Sequence, residues 1–193
     1  MANVKSVMIV GVGGQGSLLA SKLLGNVLLS RGFDVKVSEV HGMSQRGGSV
    51  VTYVRYGDKV YSPIVSEGEA VAVVSFVRLE AARWLPYLKE GGRLIVNDQR
   101  IDPMPVITGA AQYPDGVLEK LAATGANLLA VDALSLAEQA GSAKAVNVVL
   151  MGVLSTLLDI PEEAWQASLE ACVPAKFLEL NRRAFALGRN HTA

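Results

Sequence analysis

An apolar run, Val7 to Val10, ends in Gly11-Val12-Gly13-Gly14-Gln15-Gly16, and a helical pattern starts directly behind it. Glycines at the first, third and sixth positions suit a tight turn, close approach of backbone to a phosphate, and close contact between helix and strand. Free N–H groups at a helix start, together with the helix dipole, then favour an anion. The alternative is a tight strand-to-helix turn that binds nothing. Gln15 suits either case, since its amide can face a ligand or close the turn.

A second polar segment follows the next expected strand: His41-Gly42-Met43-Ser44-Gln45-Arg46-Gly47-Gly48-Ser49. Its glycines require unusual backbone angles or close approach by another group. Ser44, Gln45 and Arg46 supply a hydroxyl, an amide and a fixed cation, a set suited to phosphate or carboxylate. His41 has no carboxylate at a diagnostic spacing, so a hydrogen-bonding spacer fits it better than a general base. Glu39 stands about 20 residues beyond the first segment, where a dinucleotide fold carries its ribose carboxylate.

The periodicity predicts a strand over 5–10, a helix over 15–31 and a strand over 33–39, an opening joined by a right-handed parallel crossover. Leu18, Leu19, Leu23, Leu24, Val27 and Leu28 form the apolar face of that helix. Tyr56-Gly57-Asp58 reads as the turn of a β-hairpin between 49–55 and 59–61. Further strands are expected over 71–76, 93–97 (entered through Gly91-Gly92), 104–108 and 127–131. Helices are expected over 79–88, 115–123, 134–140, 145–158, 161–171 and 174–188, with Pro161 and Pro174 in first turns. The expected fold is therefore α/β: a Rossmann-like three-layer sandwich with a mostly parallel sheet, a β-hairpin insertion and a helical C-terminal tail. A single domain over 1–193 accounts for the chain.

Half of the 193 residues are hydrophobic, and 18 basic residues balance 18 acidic ones. That balance argues against a nucleic-acid or anionic-membrane surface. No apolar run reaches the roughly 18 residues of a membrane span, and the N-terminus does not read as a signal peptide. A cytoplasmic protein is the expectation, in which the sequon at Asn190-His191-Thr192 is chance. Cys172 is the sole cysteine, which leaves no internal disulfide, multi-cysteine zinc site or iron–sulfur cluster. Asp98, Arg100 and Asp102 follow a strand and read as solvated loop, while Asn147, within an otherwise apolar helix, needs polar partners or a ligand.

The paired glycine segments, with Asn147-Val148-Val149-Leu150-Met151-Gly152, resemble the gamma-type domain of 2-oxoacid:ferredoxin oxidoreductases. The wording His-Gly-Met-Ser-Gln-Arg-Gly-Gly is similar to the small subunit of the indolepyruvate type. The resemblance covers essentially the whole chain. It implies a subunit that is inactive alone and completes a complex catalysing oxidative decarboxylation to acyl-CoA, CO2 and reduced ferredoxin. Thiamine diphosphate, Mg and [4Fe-4S] clusters would reside in a large partner subunit, with ferredoxin engaged through the complex and coenzyme A as co-substrate. Carried over onto this sequence, Gly11, Gly13, Gly14, Gln15 and Gly16 with Ser44, Gln45, Arg46 and Gly47 would form the ligand-facing edge. The chain itself would hold no cofactor or metal. Two other readings are a free-standing NAD(P)-binding oxidoreductase and a purely structural interaction subunit. The apolar tail, with Trp165, Phe177 and Phe185, also allows the isolated chain to self-associate.

Overall fold

Strand β1 (Lys5–Val12) is buried on both faces, and its alternation serves two cores at once. Val7 and Ile9 belong to one apolar cluster, Met8 and Val10 to the other. The computed structural model describes residues 4–41 and 48–191, with only the backbone of His41. After β1 come α1 (Ser17–Ser30), β2 (Asp34–His41), β3 (Ser49–Gly57), β4 (Ala70–Ser75), α2 (Arg78–Trp84) and β5 (Leu88–Asn97). The chain continues through α3 (Met104–Ile107), α4 (Val117–Ala123), β6 (Asn127–Val131), α5 (Ala133–Ala140), α6 (Val146–Ser155), α7 (Glu162–Cys172) and α8 (Leu178–Arg189).

The six strands lie in the order β2-β3-β1-β4-β5-β6. β1, β4, β5 and β6 pair in parallel, while β3 runs antiparallel to both β1 and β2. Helix α1 and the tail α5–α8 cover one face, with Leu23, Leu24, Leu150, Trp165 and Phe185 in the larger core. Ala81 of α2 and Val117 and Leu121 of α4 cover the other. The expected three-layer sandwich is present, mostly parallel, with helices at its C-terminal end.

Several local expectations are corrected. The hairpin exists, but its strands are β2 and β3; residues 59–61 form no strand. The crossover through α1 joins two parallel strands that are not neighbours, because β3 sits between them. Residues 104–107 are a helical turn, since Pro105 occupies a first-turn position where its missing N–H costs nothing. Gly91-Gly92 lies inside β5, where the register against β4 jumps from Leu88 to Arg93. Leu18 also leaves the apolar face assigned to it and is exposed in the first turn of α1.

Asp34 anchors the segment after β3. Its carboxylate accepts from the Val60 N–H at 2.9 Å and meets Lys36 Nζ at 2.9 Å and Lys59 Nζ at 3.6 Å. The Val60 hydrogen bond and then Lys36 hold its pKa down to about 2. A depressed carboxylate stabilises the fold above its unfolded pKa of 3.8 and loses that contribution as pH falls through about 2. In an NMR titration Asp34 should therefore keep its charge at pH 3, whereas a midpoint near 4 would remove the anchor.

Helix α6 is buried along its whole length, wedged between the sheet and α8, which explains why it is apolar all round. Gly152 and Gly188 let the two backbones touch. A Cβ on Gly188 would sit 2.0 Å from the Val149 carbonyl oxygen, and one on Gly152 would sit 2.2 Å from that of Phe185. Arg189 fastens the corner, with Nη1 donating to Ser155 Oγ at 2.7 Å and Nε 3.2 Å from Glu162.

Candidate functional site

β1 leads into a helix on one face of the sheet, and its parallel neighbour β4 leads into α2 on the other. Chains diverging to opposite faces open a crevice beyond the strand ends, the usual ligand position in an open α/β sheet. The first glycine segment lies at that point. Gly11 and Val12 end β1, and Gly16 is the N-cap of α1. Gly14 and Gly16 have φ of +94° and +84°, a region that side-chain-bearing residues avoid. Gly11 is required for space: a Cβ there would lie 2.8 Å from Gln15 Oε1 and 3.0 Å from Phe76 Cβ.

Gln15 closes the turn. Its Oε1 accepts from the Val12 N–H at 2.9 Å, and its Nε2 donates to the Phe76 carbonyl at 3.4 Å. Asn97, fully buried at the end of β5, donates to the same carbonyl at 3.0 Å and to Gln99 Oε1 at 3.1 Å. Its Oδ1 accepts from the Ala133 N–H at 3.1 Å. Two side-chain amides thus tie together the carboxyl ends of β1, β4 and β5 and the start of α5. Asn97 escaped the sequence reading; its only signal is a polar residue closing an apolar strand.

Asn147 likewise serves the loop. Its Nδ2 donates to the Gly16 carbonyl at 3.1 Å and its Oδ1 accepts from the Val148 N–H at 2.9 Å. The third glycine of the motif therefore packs against α6; a Cβ on it would lie 2.6 Å from Asn147 Nδ2. Asn147→Ala should cost about 1–3 kcal/mol, the usual penalty for orphaning a buried polar group. For a chain of this size that lowers the melting temperature by about 2–4 °C per kcal/mol, readable by calorimetry. An unchanged melting temperature would contradict the contact.

The turn faces a cleft of about 510 Å³ lined by Gly14, Gln15, Gly16, Gln99, Lys144 and Val146, among others. Helices α1 and α6 both point their N-termini at it, neither with a side-chain cap of its N-cap residue. The N–H groups of Gly14, Gln15, Gly16 and Ser17 meet no backbone or side-chain acceptor among the described residues. Lys144, at the mouth, was also missed and is the cation that this cleft adds. Open amides, helix dipoles and an ammonium together suit a phosphate-bearing ligand. Gly13 contributes differently, because its N–H donates to the Gly48 carbonyl at 3.0 Å.

That bond joins the two glycine segments, and the ladder extends it by pairing Val12 with Ser49 and Gly11 with Val50. The sheet thus brings the end of the second segment beside the first. Ser44, Gln45, Arg46 and Gly47 themselves lie outside the described residues. Glu39 does not serve the cleft: β3 separates its strand from β1, and its carboxylate accepts from Thr52 Oγ1 at 3.2 Å. A ribose carboxylate belongs on the strand next to β1, so the dinucleotide pattern is broken at this position. Asp98 pairs with Arg78, and Arg100 with Asp102, beside a smaller cleft of about 270 Å³. Asp132 caps α5, its pKa lowered by the hydroxyl and the N–H of Ser135.

Residues 6–191 match the family model described as pyruvate ferredoxin/flavodoxin oxidoreductase, and the chain belongs to that family. More narrowly, its relatives are subunits. It is 44% identical over 188 residues to indolepyruvate oxidoreductase subunit IorB of Thermococcus kodakarensis, covering 95% of this chain and 93% of that one. Among solved structures, pyruvate oxidoreductase subunit PORC of Thermotoga maritima superposes with a TM-score of 0.73 at 24% identity, over 96% and 94% of the two chains. The 2-oxoglutarate:ferredoxin oxidoreductase of Magnetococcus marinus, solved with 2-oxoglutarate, coenzyme A and succinyl-CoA bound, gives 0.72 at 19% identity. It matches 98% of this chain but 32% of its own.

Proposed function

We propose that this chain, a small subunit of a 2-oxoacid ferredoxin oxidoreductase, serves an indolepyruvate-type complex and contributes the edge that receives coenzyme A. The observation carrying the substrate class is the 44% identity, along nearly the full length of both chains, to the indolepyruvate oxidoreductase subunit. The cleft supports the second part, because coenzyme A presents phosphates to a turn with open amides and Lys144 beside it. Ser44, Gln45 and Arg46 complete that edge from the second segment, with Arg46 the fixed cation for a phosphate. Gln15, Asn97 and Asn147 hold the turn in shape, and among the described residues no acceptor meets the N–H groups of Gly14, Gln15, Gly16 and Ser17.

The redox and decarboxylation groups belong elsewhere. Cys172, the only cysteine, is half-buried on α7, and no set of three or more metal-binding side chains occurs among the described residues. A single cysteine cannot supply the thiolates of an iron–sulfur cluster. The clusters and thiamine diphosphate–Mg are assigned to a large partner subunit, which also shapes most of the oxo-acid pocket and passes electrons to ferredoxin. The assembly is assigned to the cytoplasm. No helix among the described residues is long and apolar enough to cross a membrane.

The test is reconstitution: the large subunit alone and with this chain, assayed for coenzyme A-dependent reduction of a low-potential dye. A panel of indolepyruvate, phenylpyruvate, pyruvate and 2-oxoglutarate defines the substrate. Activity should require this chain and should favour the aryl pyruvates. Tight NAD(P) binding by the isolated chain would instead support the free-standing oxidoreductase, against which the position of Glu39 already argues.

A further inference from the structure

At the amino ends of the parallel strands, remote from the glycine turn, the sheet carries two cations on one face. Lys5 opens β1 opposite Tyr56, and Arg93 of β5 stands between Ala72 of β4 and Asn127 of β6. Residues paired directly across neighbouring strands share a face, and Tyr56, Val7 and Ala72 belong to the larger core. Lys5 and Arg93 therefore lie on the side of the sheet covered by α1 and the C-terminal helices. The strands are irregular here: pairing skips Val71 of β4 against both neighbours, while β5 jumps from Leu88 to Arg93. Such bulges bend a strand and re-aim its side chains. Beneath the α6–α7 connection lies a cleft of about 490 Å³, walled by Phe33, Tyr56, Leu157 and Ile160 and reached by Lys5 and Arg93.

Arg93 is the informative group. Its Nη1 donates to Asn127 Oδ1, but its Nε is buried with no hydrogen-bond partner. Among the described residues no carboxylate lies within ion-pair distance of Arg93 or Lys5, and Asp159, also in the lining, pairs with neither. An unmet guanidinium donor is costly, and a carboxylate meets it best because its two oxygens match the planar fork. The rings of Phe33 and Tyr56, edge to face at 5.4 Å, offer an apolar wall beside that charge. The volume falls within the range of roughly 300–1,000 Å³ usual for small-molecule sites.

We propose that this cleft is a second ligand site, for a small carboxylate with an apolar body, held by Arg93 and Lys5. From Lys5 to Val12 the extended β1 rises roughly 23 Å, at about 3.3 Å per residue. A small ligand here therefore leaves the glycine turn untouched, and the proposal is independent of the coenzyme A reading. Apolar 2-oxo acids and α-amino acids share the chemistry. Asp159 separates them, because an α-ammonium group would find its counter-charge there.

The test is an NMR titration of the isotope-labelled full chain with phenylacetate, L-phenylalanine, acetate and 2-phenylethanol. Phenylacetate should saturate with a Kd at or below about 1 mM and shift the amides of β1, β5 and residues 157–160. Acetate lacks the ring and 2-phenylethanol the charge, so each should bind at least about tenfold more weakly. Tighter binding of L-phenylalanine than of phenylacetate identifies an amino acid as the ligand class, and weaker binding a 2-oxo or simple acid. Arg93→Met should weaken phenylacetate by about tenfold or more, and Lys5→Gln, at an exposed position, by at least about threefold. No saturation, or unchanged affinity in Lys5→Gln or in a folded Arg93→Met, overturns the proposal. If phenylacetate does not bind and Arg93→Met instead releases the chain from its complex, the cleft is a subunit interface and the ligand site is likewise refuted.

Discussion

Gly188→Ala should leave the chain largely unfolded under conditions where Gly25→Ala folds normally. Both glycines are helical and buried, and in an open helix the substitution gains up to about 1 kcal/mol of propensity. The difference lies in what the new methyl group meets. At Gly25 the nearest atom is Val37 Cγ2 at 3.7 Å, an ordinary contact. At Gly188 it is the Val149 carbonyl oxygen at 2.0 Å, with the Val149 carbonyl carbon at 2.8 Å. Backbone cannot rotate away as a side chain can, so α8 must retreat from α6. That movement opens the core around Phe185, Leu150 and Trp165. Overpacking commonly costs about 1–3 kcal/mol, and a clash with backbone should exceed about 4 kcal/mol, a large share of a typical domain's stability. Urea midpoints for the two purified variants check it: a midpoint for Gly188→Ala close to wild type would mean the helices are not in backbone contact.

Arg46→Ala should give the largest functional loss of any single change on the ligand edge. A charge-assisted bond between guanidinium and phosphate is worth roughly 1.5–3 kcal/mol, which corresponds to about ten- to a hundredfold in KM for coenzyme A. The complex should still assemble if, as proposed, Arg46 meets coenzyme A and not the partner subunit. Steady-state rates with coenzyme A varied at saturating indolepyruvate, together with the sizing profile of the complex, separate the two effects. Loss of assembly without a change in the remaining turnover would favour a purely structural interaction subunit.

How much of this could be read in the sequence follows from the range of the interactions. The β1–turn–α1 unit, the buried strands β4–β6 and the four C-terminal helices are local patterns, and periodicity with glycine and proline signals located them within a few residues. The insertion of β3 between β1 and β2 was illegible because it depends on pairing Ser49 with Val12 and Tyr56 with Lys5, partners tens of residues apart. Tyr56-Gly57-Asp58 supplied a nearer and incorrect turn. The paired glycine segments were legible as candidates for a site, and the ladder with the Gly13–Gly48 bond brings the end of the second beside the first. The supporting shell was less so. Asn97 reaches Phe76 and Ala133, Asn147 reaches Gly16, and Glu80 reaches Ser49, across separations of 21 to 131 residues with no motif to announce them.

Whether this chain works inside a larger oxidoreductase can be decided by purifying the tagged chain from its native cells without oxygen. A large iron–sulfur partner should elute with it at equal stoichiometry, and the eluate should reduce a low-potential dye only when indolepyruvate and coenzyme A are both supplied. A chain that elutes alone, binds NAD(P) tightly and oxidises a substrate unaided would contradict the subunit assignment.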